Sequence, residues 1–129
     1  MKDRFIRIGK MYTFSASHFL PNVEDGHPCK RLHGHNYKVE IEARGKIDEK
    51  MGWMMDFYEL DKTMKPIIEI LDHHHLNDVL NNPTAEELAH WILDKYPVKI
   101  LYKVRVWETD KCYAEAVNTE GFWAKELRW

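Results

Sequence analysis

Apolar and polar residues alternate with a period of two in three stretches of the chain. In residues 33–44 the odd positions are apolar or histidine and the even positions are mostly polar. Residues 5–18 have an apolar even face that ends at His18, and residues 98–108 alternate again. A period of two places one face of a strand in the core and the other in solvent. With residues 112–117 as a short partner, the pattern predicts four strands.

A different periodicity, of three and four residues, marks residues 58–71 as a helix. Pro66 lies within this segment, and proline removes a helical hydrogen bond, so we expect a kink or a break there. A second helix is expected to begin at Pro83-Thr84, because Thr84 and Glu87 have the spacing of a capping box. Antiparallel strand pairs on one side of two helices form an α+β architecture, which we predict as a single domain over residues 1–129.

The overall composition narrows the function classes. A net charge of −2 gives no basic footprint for nucleic acid and no polybasic patch for a membrane. The apolar runs are much shorter than the roughly 20 residues that cross a bilayer, and the N-terminus lacks the apolar core of a secretory signal. Two cysteines are too few for a disulfide framework. We therefore expect a cytoplasmic protein without nucleic-acid or membrane partners.

Eight histidines are the unusual feature of the composition, and six of them fall in the clusters 27/33/35 and 73/74/75. His33 and His35 lie two apart on a predicted strand, so both imidazoles point to the buried face. His18 ends the apolar face of another strand. Three converging imidazoles suit a catalytic zinc with an open fourth position, although iron and copper also accept them. The alternative is that they are core histidines bonded to the backbone.

Cys29 precedes His33 by four residues, within a loop-like segment. A zinc ion near this thiol would favour the reactive thiolate. The alternative is that Cys29 is a fourth zinc ligand, which would close the site and make it structural. Further along, Asp72-His73 can form a general base whose tautomer is set by the carboxylate. The adjacent His74 and His75 are expected to lie in a solvated loop.

A carboxylate ends the third alternating stretch, at Glu108. Its side chain could accept two hydrogen bonds from the N–H groups of an aminopyrimidine, or it could form a salt bridge with a lysine or arginine. Thr84 is expected to cap a helix first and to contact a ligand second. The residues expected to share the buried face that leads to Glu108 are Val98, Ile100, Tyr102, Val104 and Val106.

Several short motifs occur in a fixed order that is typical of one family. The motif Cys29-Lys-Arg-Leu-His33-Gly-His35-Asn-Tyr follows Phe14-Ser-Ala-Ser-His18. After it come Met55-Asp56-Phe57, Leu71-Asp72-His73, Asn82-Pro83-Thr84 and Glu108-Thr109. Over about residues 5–117 the chain resembles the 6-pyruvoyl-tetrahydropterin synthase family, and within it the bacterial-type 6-carboxytetrahydropterin synthases.

The resemblance implies an architecture and an assembly. The expected fold is the tunnelling fold (T-fold), an antiparallel four-stranded sheet with two helices on one side. Subunits would close into a trimeric barrel, and two trimers would stack into a homohexamer. Active sites would then lie between subunits.

The resemblance also implies a reaction. The substrate would be 7,8-dihydroneopterin triphosphate, and the products would be 6-carboxy-5,6,7,8-tetrahydropterin, acetaldehyde and triphosphate, a step toward 7-deazaguanine and queuosine. Zinc would be held by His18, His33 and His35. The catalytic groups would be Cys29, Asp72 and His73. Glu108 would anchor the pterin ring, with assistance from Thr84.

Alternatives remain at two levels. Pyruvoyl-forming members of the family tend to have a longer gap between the cysteine and the His-Gly-His motif, so the gap of three residues favours the carboxy branch over a 6-pyruvoyl-tetrahydropterin synthase. Outside the family, three histidines alone would permit a zinc hydratase or hydrolase, or a structural zinc module closed by Cys29. The contacts to the triphosphate and the role of residues 118–129 are left unassigned.

Overall fold

A long antiparallel hairpin forms the first half of the sheet. In the computed structural model, which describes residues 3–96 and 100–120, strands β1 (Phe5–His18) and β2 (His33–Lys46) pair over their whole length. The buried positions of β2 are the odd ones up to Ala43, as the alternation predicts. The register pairs His18 with His33, so the last residue of one strand faces the first residue of the next.

Two shorter strands complete the sheet in the order β1-β2-β3-β4, with all neighbours antiparallel. They are β3 (Leu101–Thr109) and β4 (Cys112–Val117). The predicted strand over 98–108 therefore begins later, and the predicted core residue Val98 lies outside the described residues. The expected architecture, a four-stranded antiparallel sheet with two helices, is confirmed.

Both helices pack on one face of the sheet and close a continuous apolar core. Helix α1 (Phe57–Leu71) runs through Pro66 without a break, contrary to the expected kink or split. Pro66 is exposed, so water can satisfy the carbonyl whose helical bond it removes, while buried neighbours such as Met64 and Ile67 hold the helix to the core. Neither helix in the described part of the chain is long and apolar enough to cross a membrane.

Helix α2 (Ala85–Lys95) begins where the capping-box spacing predicts. The Glu87 backbone N–H donates to the Thr84 hydroxyl at 3.1 Å, which satisfies one of the free donors of the first turn. Leu88 and Ile92 on its inner face are fully buried. The helix start is important for the site because Pro83, immediately before the cap, contacts a histidine of β1.

A β-bulge changes the face that β3 buries. The pairing with β2 shifts between Glu42 and Ala43, so Ala43 faces Leu101, and Tyr102 is the extra residue. Leu101 is therefore buried, and the expected core position of Tyr102 is wrong. Its ring instead lies beneath the Arg44 guanidinium, 3.3 Å from the ring centroid, on the outer face of the sheet.

The bulge predicts that glutamine at position 101 is more harmful than glutamine at position 102. Leu101→Gln removes buried packing and buries an unpaired amide, whereas Tyr102→Gln remains on a partly solvated face. We expect Leu101→Gln to lose about 2 kcal/mol or more of unfolding free energy beyond Tyr102→Gln in urea denaturation. A larger loss for Tyr102→Gln would contradict the observed register.

Candidate functional site

Three histidines converge at the end of the β1–β2 hairpin. His18 faces His33 directly, and Ala16 faces His35, so all three rings share the face that is turned toward the helices. Ring centroids are 4.6 Å apart for His18 and His33, and 4.9 Å apart for His33 and His35. Their ligand nitrogens lie within 4.8 Å of one another, which makes this a group that can hold a metal ion.

Backbone carbonyls fix the tautomers of two of these rings. His18 Nδ1–H donates to the Pro83 carbonyl at 2.8 Å, and His33 Nδ1–H donates to the Arg31 carbonyl at 2.7 Å. A carbonyl can only accept, so each Nδ1 carries the proton and each Nε2 carries a lone pair when the ring is neutral. The two Nε2 atoms face each other at 3.0 Å. A metal cation accepts both lone pairs, which otherwise repel.

The third ring points to the same requirement. His35 Nε2 is buried and has no hydrogen-bond partner among the described residues. Burial lowers the pKa of both His18 and His35, an effect that the Glu108 carboxylate partly opposes. The lowered pKa of His18 and His35 favours the neutral form of these two rings, which metal binding requires. The donor set fits a divalent metal, and the sequence predicted the three histidines of this group but not the two carbonyls that orient them.

The Cys29 loop, residues 19–32, connects the two strands that carry these histidines. Cys29 lies in a one-turn 3₁₀ helix, Pro28–Lys30. Its backbone N–H donates to His27 Nδ1 at 3.0 Å, and its carbonyl accepts from the Leu20 N–H at 2.8 Å. Both polar groups of its backbone are therefore fixed. Cys29 is half-buried and is not part of the metal-binding group in the described chain, so the closed four-ligand alternative gains no support.

The turn after α1 holds Asp72 and His73 together. Asp72 Oδ1 accepts from the Ser15 N–H at 2.9 Å and lies 3.0 Å from His73 Nδ1. These two contacts, with Ser15 the larger, lower the pKa of Asp72. His73 has a positive φ of 58°, which is uncommon for a residue with a side chain, and its N–H donates to the Ser15 carbonyl at 2.7 Å. The geometry is that of a carboxylate-oriented imidazole.

An open cavity of about 470 Å³ lies between this turn and the ends of β1 and β2, and its lining includes both His35 and His73. His74 is exposed there, as expected of a solvated loop. His75 is different, because its Nδ1 lies 3.1 Å from Ser17 Oγ and its ring stacks on Phe19. The expectation of a freely solvated His75 is therefore wrong, since the segment is paired with β1.

Glu108 and Thr84 have different surroundings. Glu108 lies at a register shift between Trp107 and Thr109, and its Oε1 is 3.5 Å from His35 Nε2. Among the described residues, the ionisable side chain that lies beside Glu108 is this histidine rather than a lysine or arginine. Thr84 caps α2, as expected first, and its contact with a ligand stays a prediction.

Comparison with known proteins adds independent information. A sequence profile described as 6-pyruvoyl tetrahydropterin synthase matches residues 7–119. The chain belongs to this family. A 6-carboxy-5,6,7,8-tetrahydropterin synthase of Synechocystis sp. is 37% identical over 112 residues, covering 79% of this chain and 85% of the relative. The expected family and the expectation of an enzyme are thereby confirmed.

Two further relatives show the range of the family. A dihydroneopterin monophosphate aldolase of Pyrococcus furiosus is 33% identical over 101 residues, covering 74% of this chain and 83% of the relative. The solved structure of 6-pyruvoyl tetrahydropterin synthase from Caenorhabditis elegans matches with a TM-score of 0.83 at 25% identity, covering 92% of this chain and 99% of that chain. The expected T-fold subunit is confirmed, and the relatives differ in their named reactions.

The site predicts one tightly bound zinc per chain. We expect His35→Ala to weaken zinc binding at least tenfold, because three-ligand sites lose a bond with each imidazole. His90→Ala, which removes an exposed histidine of α2, is the matched control and leaves affinity unchanged. Chelator-competition titration of metal-free protein measures both. Circular dichroism checks that the metal-free chain stays folded, and unfolding on chelation would instead support a structural zinc.

Proposed function

We propose that the protein is a zinc-dependent lyase that converts 7,8-dihydroneopterin triphosphate and water to 6-carboxy-5,6,7,8-tetrahydropterin, acetaldehyde and triphosphate. The observation that carries the proposal is the 3.5 Å approach of Glu108 Oε1 to the buried His35 Nε2. It brings a carboxylate suited to the pterin ring next to the histidines suited to a metal. One bound molecule can therefore meet both.

His18, His33 and His35 would hold the metal. Bound there, zinc supplies Lewis acidity toward the hydroxyl oxygens of the substrate side chain. The carbonyls of Pro83 and Arg31 orient two of the rings, which keeps the Nε2 lone pairs directed to one point. The loss of one of these carbonyl contacts would misdirect a ligand without removing it.

Proton transfer falls to the chain's own side chains. Cys29 Sγ, as thiolate, would remove a proton from the carbon next to a side-chain hydroxyl. His73, oriented by Asp72 at 3.0 Å, would exchange a proton on the other face of the substrate. The Asp72 carboxylate accepts a hydrogen bond from His73 Nδ1–H, which leaves Nε2 as the ring nitrogen that would exchange the proton.

Recognition of the ring would rest on Glu108. An ionised carboxylate accepts two parallel hydrogen bonds from the amino and ring N–H groups of an aminopyrimidine, which selects a pterin over a purely hydrophobic ring. Thr84 follows Pro83 in the sequence, and the Pro83 carbonyl contacts His18. We assign it a supporting contact to the ligand in addition to its helix cap.

We also propose a homohexamer made of two trimeric barrels, with sites completed by neighbouring subunits. β1 and β4 are the outer strands of the sheet, and outer strands offer backbone groups to another chain. The His73 side chain is 82% exposed in the single chain. Such exposure suits a group whose substrate is enclosed only after a neighbour packs against it.

The deciding experiment incubates zinc-loaded protein with 7,8-dihydroneopterin triphosphate and identifies products by mass spectrometry. We expect 6-carboxytetrahydropterin and acetaldehyde. A pyruvoyl product would keep the family chemistry and overturn the choice of branch. A parallel reaction with dihydroneopterin monophosphate tests the activity named for the Pyrococcus furiosus relative. If no pterin is consumed in either reaction, the lyase proposal fails.

The thiol gives a second test. We expect Cys29→Ala, with zinc bound, to turn over at least about a hundredfold more slowly, the usual loss for a missing proton-transfer group. Cys112→Ala is the matched control, since Cys112 is an exposed cysteine on β4, and we expect the rate to be unchanged. Steady-state rates and zinc content are measured on the same samples. Equal rates for the two variants would contradict a role for Cys29.

A further inference from the structure

Residues 72–77 run beside the outer edge of β1 at its C-terminal end. The His73 N–H donates to the Ser15 carbonyl at 2.7 Å, and the Ser17 N–H donates to the His74 carbonyl at 3.3 Å. Ser17 and His75 form an isolated parallel bridge. Ser15 and then Ser17 of β1 are thus hydrogen-bonded to His73 and then His74. Residues 73–75 therefore satisfy backbone groups at the edge of β1, as a neighbouring strand would, although they do not form a continuous strand.

Asn77 continues this pairing through its side chain. Its Oδ1 accepts from the Phe19 N–H at 3.0 Å, and its Nδ2 donates to the Phe19 carbonyl at 2.9 Å. Both contacts are partly buried, and they join residues 58 positions apart in the sequence. One carboxamide therefore satisfies both backbone groups of a single residue. That residue immediately follows His18.

The position of the two Asn77 contacts is important because β1 ends at His18. The strand ladder ends at the pair of His18 with His33, and beyond it the chain enters the Cys29 loop. Strand ends fray when the next backbone groups have no partner. The His18 ring is held by the Pro83 carbonyl, and its backbone faces His33 in the last pair of the ladder. Asn77 supplies the fixed point on the loop side.

We propose that Asn77 is a positioning residue for His18, holding the strand end so that Nε2 stays within the three-histidine group. The inference rests on the proposed metal site. It assigns a role to a residue that lies outside the three-histidine group. It also links the end of β1 to the turn of Asp72 and His73, because residues 72–77 contact both Ser15 within β1 and Phe19 just after it.

The test uses Co²⁺, whose visible absorption reports the geometry of its ligands, so no enzyme activity is needed. The variants are Asn77→Ala, which removes both contacts, and the isosteric Asn77→Asp, which keeps an acceptor for the Phe19 N–H but loses the donor. Asn118→Ala is the matched control. Asn118 Nδ2 donates to the Leu101 carbonyl at 3.2 Å, and this contact does not involve the histidines. Affinity, spectrum and thermal midpoint are recorded for each.

We expect both Asn77 variants to bind Co²⁺ about tenfold more weakly and with altered band intensities, the low end of the 10–100-fold effect of groups that orient ligands. Asn118→Ala is expected to lower the thermal midpoint comparably while keeping the wild-type affinity and spectrum. If a folded Asn77→Ala or, should that variant not fold, Asn77→Asp matches the wild type in both, Asn77 is only structural and the inference is wrong. Absence of Co²⁺ binding by the wild type would overturn the metal proposal itself.

Discussion

The register of the β1–β2 hairpin is the constraint on which the site depends. Pairing His18 with His33 puts two imidazoles opposite each other on one face, and the next same-face residue of β2, His35, completes the group. A slip of one residue would turn the β2 histidines to the other face of the sheet. The register is set far from the site, by the buried odd positions of β2 such as Val39 and Ile41.

The surrounding structure then removes the freedom that the hairpin leaves. The carbonyls of Pro83, placed by the start of α2, and of Arg31, placed by the Cys29 loop, each accept a hydrogen bond from a ring Nδ1–H. Glu108 reaches the same face because it continues the buried alternation of Val104 and Val106 along β3, which pairs with β2. The start of α2, the Cys29 loop and β3 therefore each contact one of the three histidines. The elements that enclose the apolar core also orient the polar site.

Much of this was predictable, and the exceptions have physical causes. Alternation revealed the face of β2 and hence the direction of His33 and His35, while the Thr84 spacing revealed the start of α2. The bulge at Tyr102 was not visible, because an extra residue leaves no mark on composition. The carbonyls of Pro83 and Arg31 were equally hidden, since every residue carries one. Asn77 was overlooked because its partner, Phe19, is close only after folding.

The direct pairing of His18 with His33 makes the intervening loop a closed insert whose two ends meet within the sheet. A loop of this kind can change in length without moving the ends, since closing a longer loop adds little entropy cost. The three-histidine group and the thiol can therefore change independently of each other during evolution. Insertions between Cys29 and His33 would move the thiol relative to a fixed set of histidines, which offers one protein scaffold a route to several related reactions.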